Sequence, residues 1–382
     1  MTHNQGPKYL KTIIICLSLL LLLGGLARAA QAQGDAADWL AFGSGDTRQA
    51  PAVALLQADA HSITLRADAD GVEIVPVQIG GETFLSLSGE GYGAIAEIGA
   101  PALPVILRDV EVPFGAQVSV EILSVTSKST SLGALGLEGV IAPRQPSQSK
   151  CAEAQSDVPP DAQVYALQDA YPGELVRIVD EYIVRGHRVV QVLIAPVQYT
   201  PATGGLETYS RIEFMLKLKG SDLALTYAEA ERLNSNGFND LYAGTVLNYN
   251  QGRSLSLPKD PENYLIITAD AYESGLSAFV SLKQSQGFNV SLANITTVGG
   301  NTTTAIKQYI KTQYLGANPP DYVLLVGDYN NGAESITNYL FRRVPRPTAR
   351  ICTFSPWTTK RNSCRTSSTD AFRCGTQHNW RI

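Results

Sequence analysis

The chain has 382 residues, 44% apolar and 17% charged, with a formal net charge of −5. That length makes room for two domains with a sizeable core, and 33 glycines and 20 prolines without period exclude collagen and general disorder. Residues 1–32 hold three basic side chains and no acid, residues 33–340 hold 18 basic and 34 acidic, and residues 341–382 hold nine basic and one acidic. No basic face in the body of the chain points to nucleic acid.

The first segment, residues 1–32, reads as a secretory signal peptide. Lys8 and Lys11 precede the apolar run Thr12 to Leu23, and small residues follow in Ala27-Arg28-Ala29 and Ala30-Gln31-Ala32. A positive start, a short apolar stretch and A-x-A sites place cleavage near Ala29 or Ala32. The run is short of the roughly 20 residues a spanning helix needs. An exported chain with no membrane span after signal removal is expected, secreted or at the cell surface.

Within residues 33–225, the pattern from about residue 50 to 220 has a period of two. Val118, Val120 and Ile122 alternate with Ser119 and Glu121, and Val190, Val192 and Ile194 behave alike. Ile212, Phe214, Leu216 and Leu218 alternate with Arg211, Glu213, Met215 and Lys217. Alternation of this kind marks strands with one face on a core. Turn residues recur at Gly80-Gly81, Pro113-Phe114-Gly115, Arg185-Gly186 and Gly204-Gly205. Short strands with frequent turns predict an antiparallel sandwich. Residues 141–162, with Pro143, Pro146, Pro159 and Pro160, read as a loop between strand groups.

Residues 226–262 read as a linker. A short helical piece near Tyr227 to Leu233 is followed by a polar, exposed stretch from Asn248 to Asn263. Arg253 and Lys259 are its basic residues, and exposed backbone there makes them candidates for proteolytic processing. From Asn263 the pattern changes. Tyr264-Leu265-Ile266-Ile267 is a continuous apolar strand, and Leu276, Phe279 and Val280 have helical spacing up to Gly287. Val290 and Leu292 mark a second strand, and a helix with Ile306, Tyr309, Ile310 and Tyr314 starts after a Thr302-Thr303 cap. Tyr322-Val323-Leu324-Leu325-Val326 is a third strand. This order predicts a parallel sheet covered on both faces over 263–340, short of the strands needed to close its core.

The chemistry-bearing residues are sparse. No G-x-S-x-G, H-E-x-x-H, Walker A or EF-hand string occurs. Gly91-Tyr92-Gly93-Ala94-Ile95-Ala96 has dinucleotide-loop spacing, but Pro101 and Pro104 forbid the helix that motif opens, so a turn is expected. His187, beside Arg185-Gly186, reads as an exposed polar residue at a strand turn. Cys374 and His378 lie in the basic tail, away from any core that could position them as nucleophile and base. Asp328 ends the third strand, where it reads as a loop cap. No cofactor or metal site is evident, and no catalytic residue is assignable.

Two blocks carry a family resemblance. Residues 263–328 resemble the opening of the gingipain-type, caspase-like cysteine peptidases. The matching strings are Tyr264-Leu265-Ile266-Ile267-Thr268, Lys283 to Gly287, Ala305-Ile306-Lys307 and Pro320-Asp321-Tyr322-Val323-Leu324-Leu325-Val326-Gly327-Asp328. Residues 97–225 resemble the same family's propeptide, through Gly99-x-Pro101-x-Leu103-Pro104, Val112-Pro113-x-Gly115-Ala116, Arg185-Gly186-His187-Arg188-Val189-Val190 and Pro196-Val197-Gln198-Tyr199-x-Pro201. The resemblance implies a multi-domain chain: a β-sandwich propeptide followed by an incomplete caspase-like α/β parallel-sheet domain. It implies a cysteine-type endopeptidase zymogen whose propeptide maintains latency and assists folding. The implied partners are its own or a related catalytic domain, and protein substrates in the full-length family.

The family's His and Cys lie well downstream of the Tyr322 to Asp328 string. After Leu340 the chain becomes rich in Arg, Cys, Ser and Thr, and residues 341–382 read as a divergent basic tail. Back-translating Trp357 to Arg381 and moving the frame by one base permits an acidic stretch, then F-L-P-D, then G-R-x-P-V-R, similar to the segment downstream of that strand in the family. A frameshifted or truncated reading, inactive as written, is therefore the expectation. Two alternatives remain open: a propeptide-like inhibitor or folding assistant acting in trans, and a non-enzymatic surface adhesin.

Overall fold

A computed structural model describes residues 38–45, 47–147, 156–249, 261–328 and 335–336, together with the backbone of 349–352 and 364–367. Ala29, Ala32, Cys151, Arg253, Lys259, Cys374 and His378 lie outside these residues.

Twelve strands build the first unit: β1 (Asp38–Ala41), β2 (Ala52–Ala58), β3 (Ser62–Asp68), β4 (Gly71–Ile79), β5 (Glu82–Ser88), β6 (Gly93–Ala94), β7 (Pro104–Glu111), β8 (Gln117–Ser131), β9 (Val176–Val184), β10 (His187–Ile194), β11 (Val197–Thr200) and β12 (Gly205–Lys219). One sheet has the order β6-β7-β10-β9, and a second has β11-β12-β3-β2 with β8 along the other side of β12. All pairings are antiparallel. Between the sheets lies a core containing Ile63, Leu65, Ile106, Val110, Val190, Val192, Ile194, Ile212, Phe214 and Leu216. The expected sandwich is present, and β12 alternates as its sequence predicts, with Arg211 exposed beside buried Ile212 and Lys217 exposed between buried Leu216 and Leu218. The Gly91 to Ala96 string runs from a turn at Gly91 through the two-residue strand β6, with no helix.

Three features go beyond the expected pattern. A small third sheet, β1-β4-β5, closes a second core with Leu40, Phe42, Val72, Ile74, Tyr199 and Leu206. The strand β10 is buried on both faces, because Val189 and Leu193 belong to further apolar clusters on its outer side. The period of two sees only the Val190, Val192, Ile194 face.

The third departure is the expected linker. Helices α2 (Leu223–Arg232) and α3 (Asn236–Thr245) occupy its first part, after the one-turn α1 (Ala162–Tyr165) upstream. Asp222 caps α2 by accepting from the Leu225 amide at 2.9 Å. The helix α3 packs Tyr242, followed by Val246, against Val189 of β10. The Leu247 amide donates to Asp109 O at 2.9 Å, and Asn248 exchanges two hydrogen bonds with the Glu111 backbone. Residues 226–249 are thus part of the folded first unit, not an exposed connection. Their polar composition hid a few apolar anchors and one paired amide.

The second unit starts with β13 (Asn263–Thr268), continues through a 3-10 turn into α4 (Ser277–Ser285), then β14 (Asn289–Asn294), the short α5 (Ile295–Val298), α6 (Thr303–Leu315) and β15 (Tyr322–Val326). The sheet order is β14-β13-β15, parallel throughout, as expected. One face packs Leu265, Ile267 and Ala293 on Ile306 and Ile310 of α6. The other face sets Tyr264 against Phe279 and Phe288. Thr302 caps α6 through the Ala305 amide at 3.1 Å. In the expected patternless tail, β16 (Ala349–Cys352) pairs with β17 (Cys364–Ser367).

Candidate functional site

The two units meet at the tip of the β9–β10 hairpin. Val184 and His187 face each other across a two-residue turn, with φ of +46° at Arg185 and +83° at Gly186. Two positive φ values make the turn whose twist suits a hairpin, and glycine is suited to it. A Cβ at Gly186 would meet the Glu229 carbonyl oxygen at 2.6 Å, so helix α2 lies directly on the turn. Arginine in this conformation carries a steric cost on the order of 1–2 kcal/mol.

The Arg185 side chain offsets that cost by the bonds it makes. Its Nε donates to Leu233 O at 3.2 Å, its Nη1 to Pro320 O at 3.0 Å, and its Nη2 to Asp321 Oδ1. The guanidinium also lies 4.9 Å from the centre of the Phe238 ring. The ion pair is buried, with side-chain exposures of 8% for Arg185 and 6% for Asp321. Burial pushes the Asp321 carboxyl above the usual carboxylate range, and Arg185 opposes that rise.

Asp321 is bound on its other side too. Its Oδ2 accepts the Asn263 amide at 2.6 Å, and its own amide donates to Asn263 O at 2.8 Å. Its neighbour Tyr322 donates to Glu262 Oε2 at 3.2 Å, while Glu262 Oε1 accepts from Ser235 Oγ at 2.6 Å and Gly237 N at 2.9 Å. Arg232 of α2 donates to Tyr314 O at 2.9 Å and lies over that ring. The first unit therefore contributes two cations and an aromatic ring. The second contributes carboxylates and carbonyl oxygens, a complementary arrangement.

One residue further along the hairpin, His187 is buried rather than exposed at the turn. It is 2% exposed, and its Nδ1 lies 2.8 Å from Glu111 Oε1. The rings of Tyr242 and Tyr249 cover it, at centroid distances of 4.6 and 5.3 Å. Burial raises the Tyr242 hydroxyl pKa, and that hydroxyl donates to Val184 O at 2.9 Å. The sequence reading misses this cluster because Glu111, His187 and Asn248 are far apart in the chain. The Arg-Gly pair between apolar strands, and an aspartate just before the apolar Tyr322 strand, were the only local signals.

Chemically this is a docking interface between the two units. Among the described residues no group of three or more His, Cys, Asp or Glu side chains could hold a metal ion. Asp328 follows β15, and its carbonyl accepts the Ile336 amide at 3.0 Å, in keeping with a loop position. No described helix is long and apolar enough to cross a membrane.

The two units correspond to two family matches. The Propeptide_C25 model matches residues 44–255, more than half of the chain, and the Peptidase family C25 model matches residues 257–372. The chain belongs to peptidase family C25. Its first unit is a gingipain-like propeptide and its second is part of the catalytic domain. The second match continues past Leu340, where the motif resemblance ends.

Gingipain R2 of Porphyromonas gingivalis is 28% identical over 335 residues, covering 86% of this chain and 43% of the relative. Lys-gingipain of the same organism is 29% identical over 270 residues, covering 67% of this chain and 15% of the relative. The chain thus spans less than half the length of the curated relatives it matches. Among solved structures, one on zymogenic latency of gingipain K from Porphyromonas gingivalis is 25% identical, with a TM-score of 0.42, covering 49% of this chain and 100% of that one. A complex of the RgpB pro- and mature domains from that organism is 23% identical, with a TM-score of 0.42, over 52% and 97%.

Proposed function

We propose that the sandwich holds a C25 cysteine endopeptidase in a latent zymogen, and that the 250–260 segment is cut to release it. The observation that carries this reading is the Arg185 tip, buried in the peptidase unit against Pro320 and Asp321. A propeptide that only preceded its enzyme would have no need of a buried interface with it. Arg253 and Lys259 lie where the two family matches meet, between residues 255 and 257. They are the proposed processing residues. Ala29 and Ala32 mark the proposed signal cleavage, which fits an exported, extracellular or surface protein acting on protein substrates.

Limited trypsin digestion tests the release site. Early cuts at Arg253 or Lys259 that leave a sandwich ending near residue 253 are expected. First cuts at Arg185 or Arg211 would overturn it, since the structure buries Arg185 and places Arg211 within β12. Latency is tested by adding the released sandwich to an active C25 peptidase. Saturable inhibition is expected, and its absence removes the latency reading.

A further inference from the structure

The contact at Arg185 lies at a particular end of the peptidase sheet. Asn263, Asn289 and Asp321 stand at or just before the first residues of β13, β14 and β15. They are tied together: the Asn289 amide donates to Glu262 O at 2.9 Å, and its side chain donates to Asn263 Oδ1 at 2.8 Å. In open parallel sheets the ligand crevice lies outside the carboxyl ends of the strands, here beyond Thr268, Asn294 and Val326. The amino end and that crevice are separated by the length of a strand, about 16–20 Å.

At the amino end Asp321 does two jobs. Its backbone and carboxylate both bond the Asn263 backbone, which fixes the alignment Tyr264 to Tyr322 from which β13 and β15 pair. The carboxylate that does this is buried, and the cation that faces it closely comes from the other unit. Glu262 is the other acid near it, and raises rather than lowers its proton affinity. Without Arg185 the clamp would hold an uncompensated buried charge, and removing one partner of such a pair is strongly destabilising.

We propose that Arg185 is a positioning residue for the peptidase sheet: it supplies the countercharge to Asp321, the residue that sets β13 against β15. It acts from the end opposite the crevice, so this tip assembles the sheet rather than plugging a substrate cleft. The interface then has two separable tasks: it holds the sandwich on the peptidase unit, and through Arg185 it also assembles the sheet. The proposal rests on the propeptide reading above.

The test is hydrogen exchange on the full 382-residue chain, followed in residues 263–268 and 322–326, with residues 205–219 as the internal control. Arg185→Met is expected to accelerate exchange in both peptidase strands about a hundredfold, leaving β12 unchanged. Adding Asp321→Asn removes the stranded charge and keeps an acceptor for the Asn263 amide. The double variant is expected to recover at least about tenfold of the lost protection. Arg185→Lys keeps the charge without the three-way fork and is expected to fall between parent and Arg185→Met. If Arg185→Met does not fold, recovery of soluble chain in the double variant reads the same compensation, and no recovery overturns it.

Unchanged exchange in Arg185→Met, or a double variant as fast as the single one, overturns the proposal. Failure of the sandwich to inhibit a peptidase, with the exchange pattern intact, removes latency and leaves the positioning role. Inhibition with exchange insensitive to Arg185 does the reverse.

Discussion

In the sandwich, β12 presents Ile212, Phe214, Leu216 and Leu218 to a core supplied by both sheets, and each is buried. Among the described strands of the peptidase unit, only the central β13 reaches that state, with Leu265, Ile266 and Ile267 between 0% and 3% exposed. Its neighbour β15 is as apolar in sequence, yet its residues are half-buried and Leu325 is 40% exposed. The same kind of residue gives different stability according to how many neighbours the sheet provides. The sandwich closes its faces with its own strands and with α3. Among the described residues the parallel sheet has three strands and two edges, and its amino end leans on the hairpin of the other unit.

The comparison can be broken most forcefully in the sandwich core. Phe214→Ala is expected to cost about 3–5 kcal/mol. Urea denaturation followed by circular dichroism should show the sandwich transition move to lower urea. Ile266→Ala is expected to cost about 2–5 kcal/mol in the peptidase unit. Hydrogen exchange should then quicken in 263–268 while 205–219 stays protected; loss of protection in both would mean the units do not fold separately.

At the junction, Gly186→Ala combines a positive φ with a Cβ placed 2.6 Å from a backbone oxygen. A cost of about 2–4 kcal/mol is expected, with tryptic cutting at Arg185 becoming early. The acid dependence of Arg185→Met sharpens the same junction. Burial raises the folded pKa of Asp321, and without Arg185 the rise is larger. The groups facing that carboxyl are Arg185, the Asn263 amide, Glu262 and the Ser235 hydroxyl. A raised folded pKa means the protonated form favours folding. The stability it gives is present at low pH and lost as pH rises through the folded value. Protection of 263–268 in Arg185→Met is thus expected to improve as pH is lowered, and to do so from a higher pH than in the parent, whose Asp321 is raised less. The smallest effect belongs to the exposed pair Lys217 and Glu121, 2.5 Å apart with side chains 55% and 45% exposed. Lys217→Ala should change sandwich stability by less than about 1 kcal/mol in the same urea assay.

Period-two alternation located β8, β10 and β12, and the switch to continuous apolar runs located β13 and β15 with their parallel pairing. These are local properties, because a strand's inward face is written every second residue and a buried parallel strand has two such faces. The docking of α3 was not legible. Tyr242, Val246 and Asn248 sit in a stretch that reads as polar, and their partners Val189 and Glu111 are far away in the chain.

The sequence by itself determined the strands β8, β10, β12, β13, β14 and β15 and the helical stretches of α2, α4 and α6, where the pattern changes near Asn263, and which family the motifs resemble. Tertiary structure alone decided that His187 is buried on Glu111, that residues 226–249 belong to the sandwich, and that Arg185 meets Asp321. The physical reason is the range of the interactions. Periodicity and capping act over a few residues and leave a trace in the local order of the chain. A buried ion pair between residues 136 positions apart leaves only one arginine and one aspartate, neither distinguishable in sequence from a solvated charge.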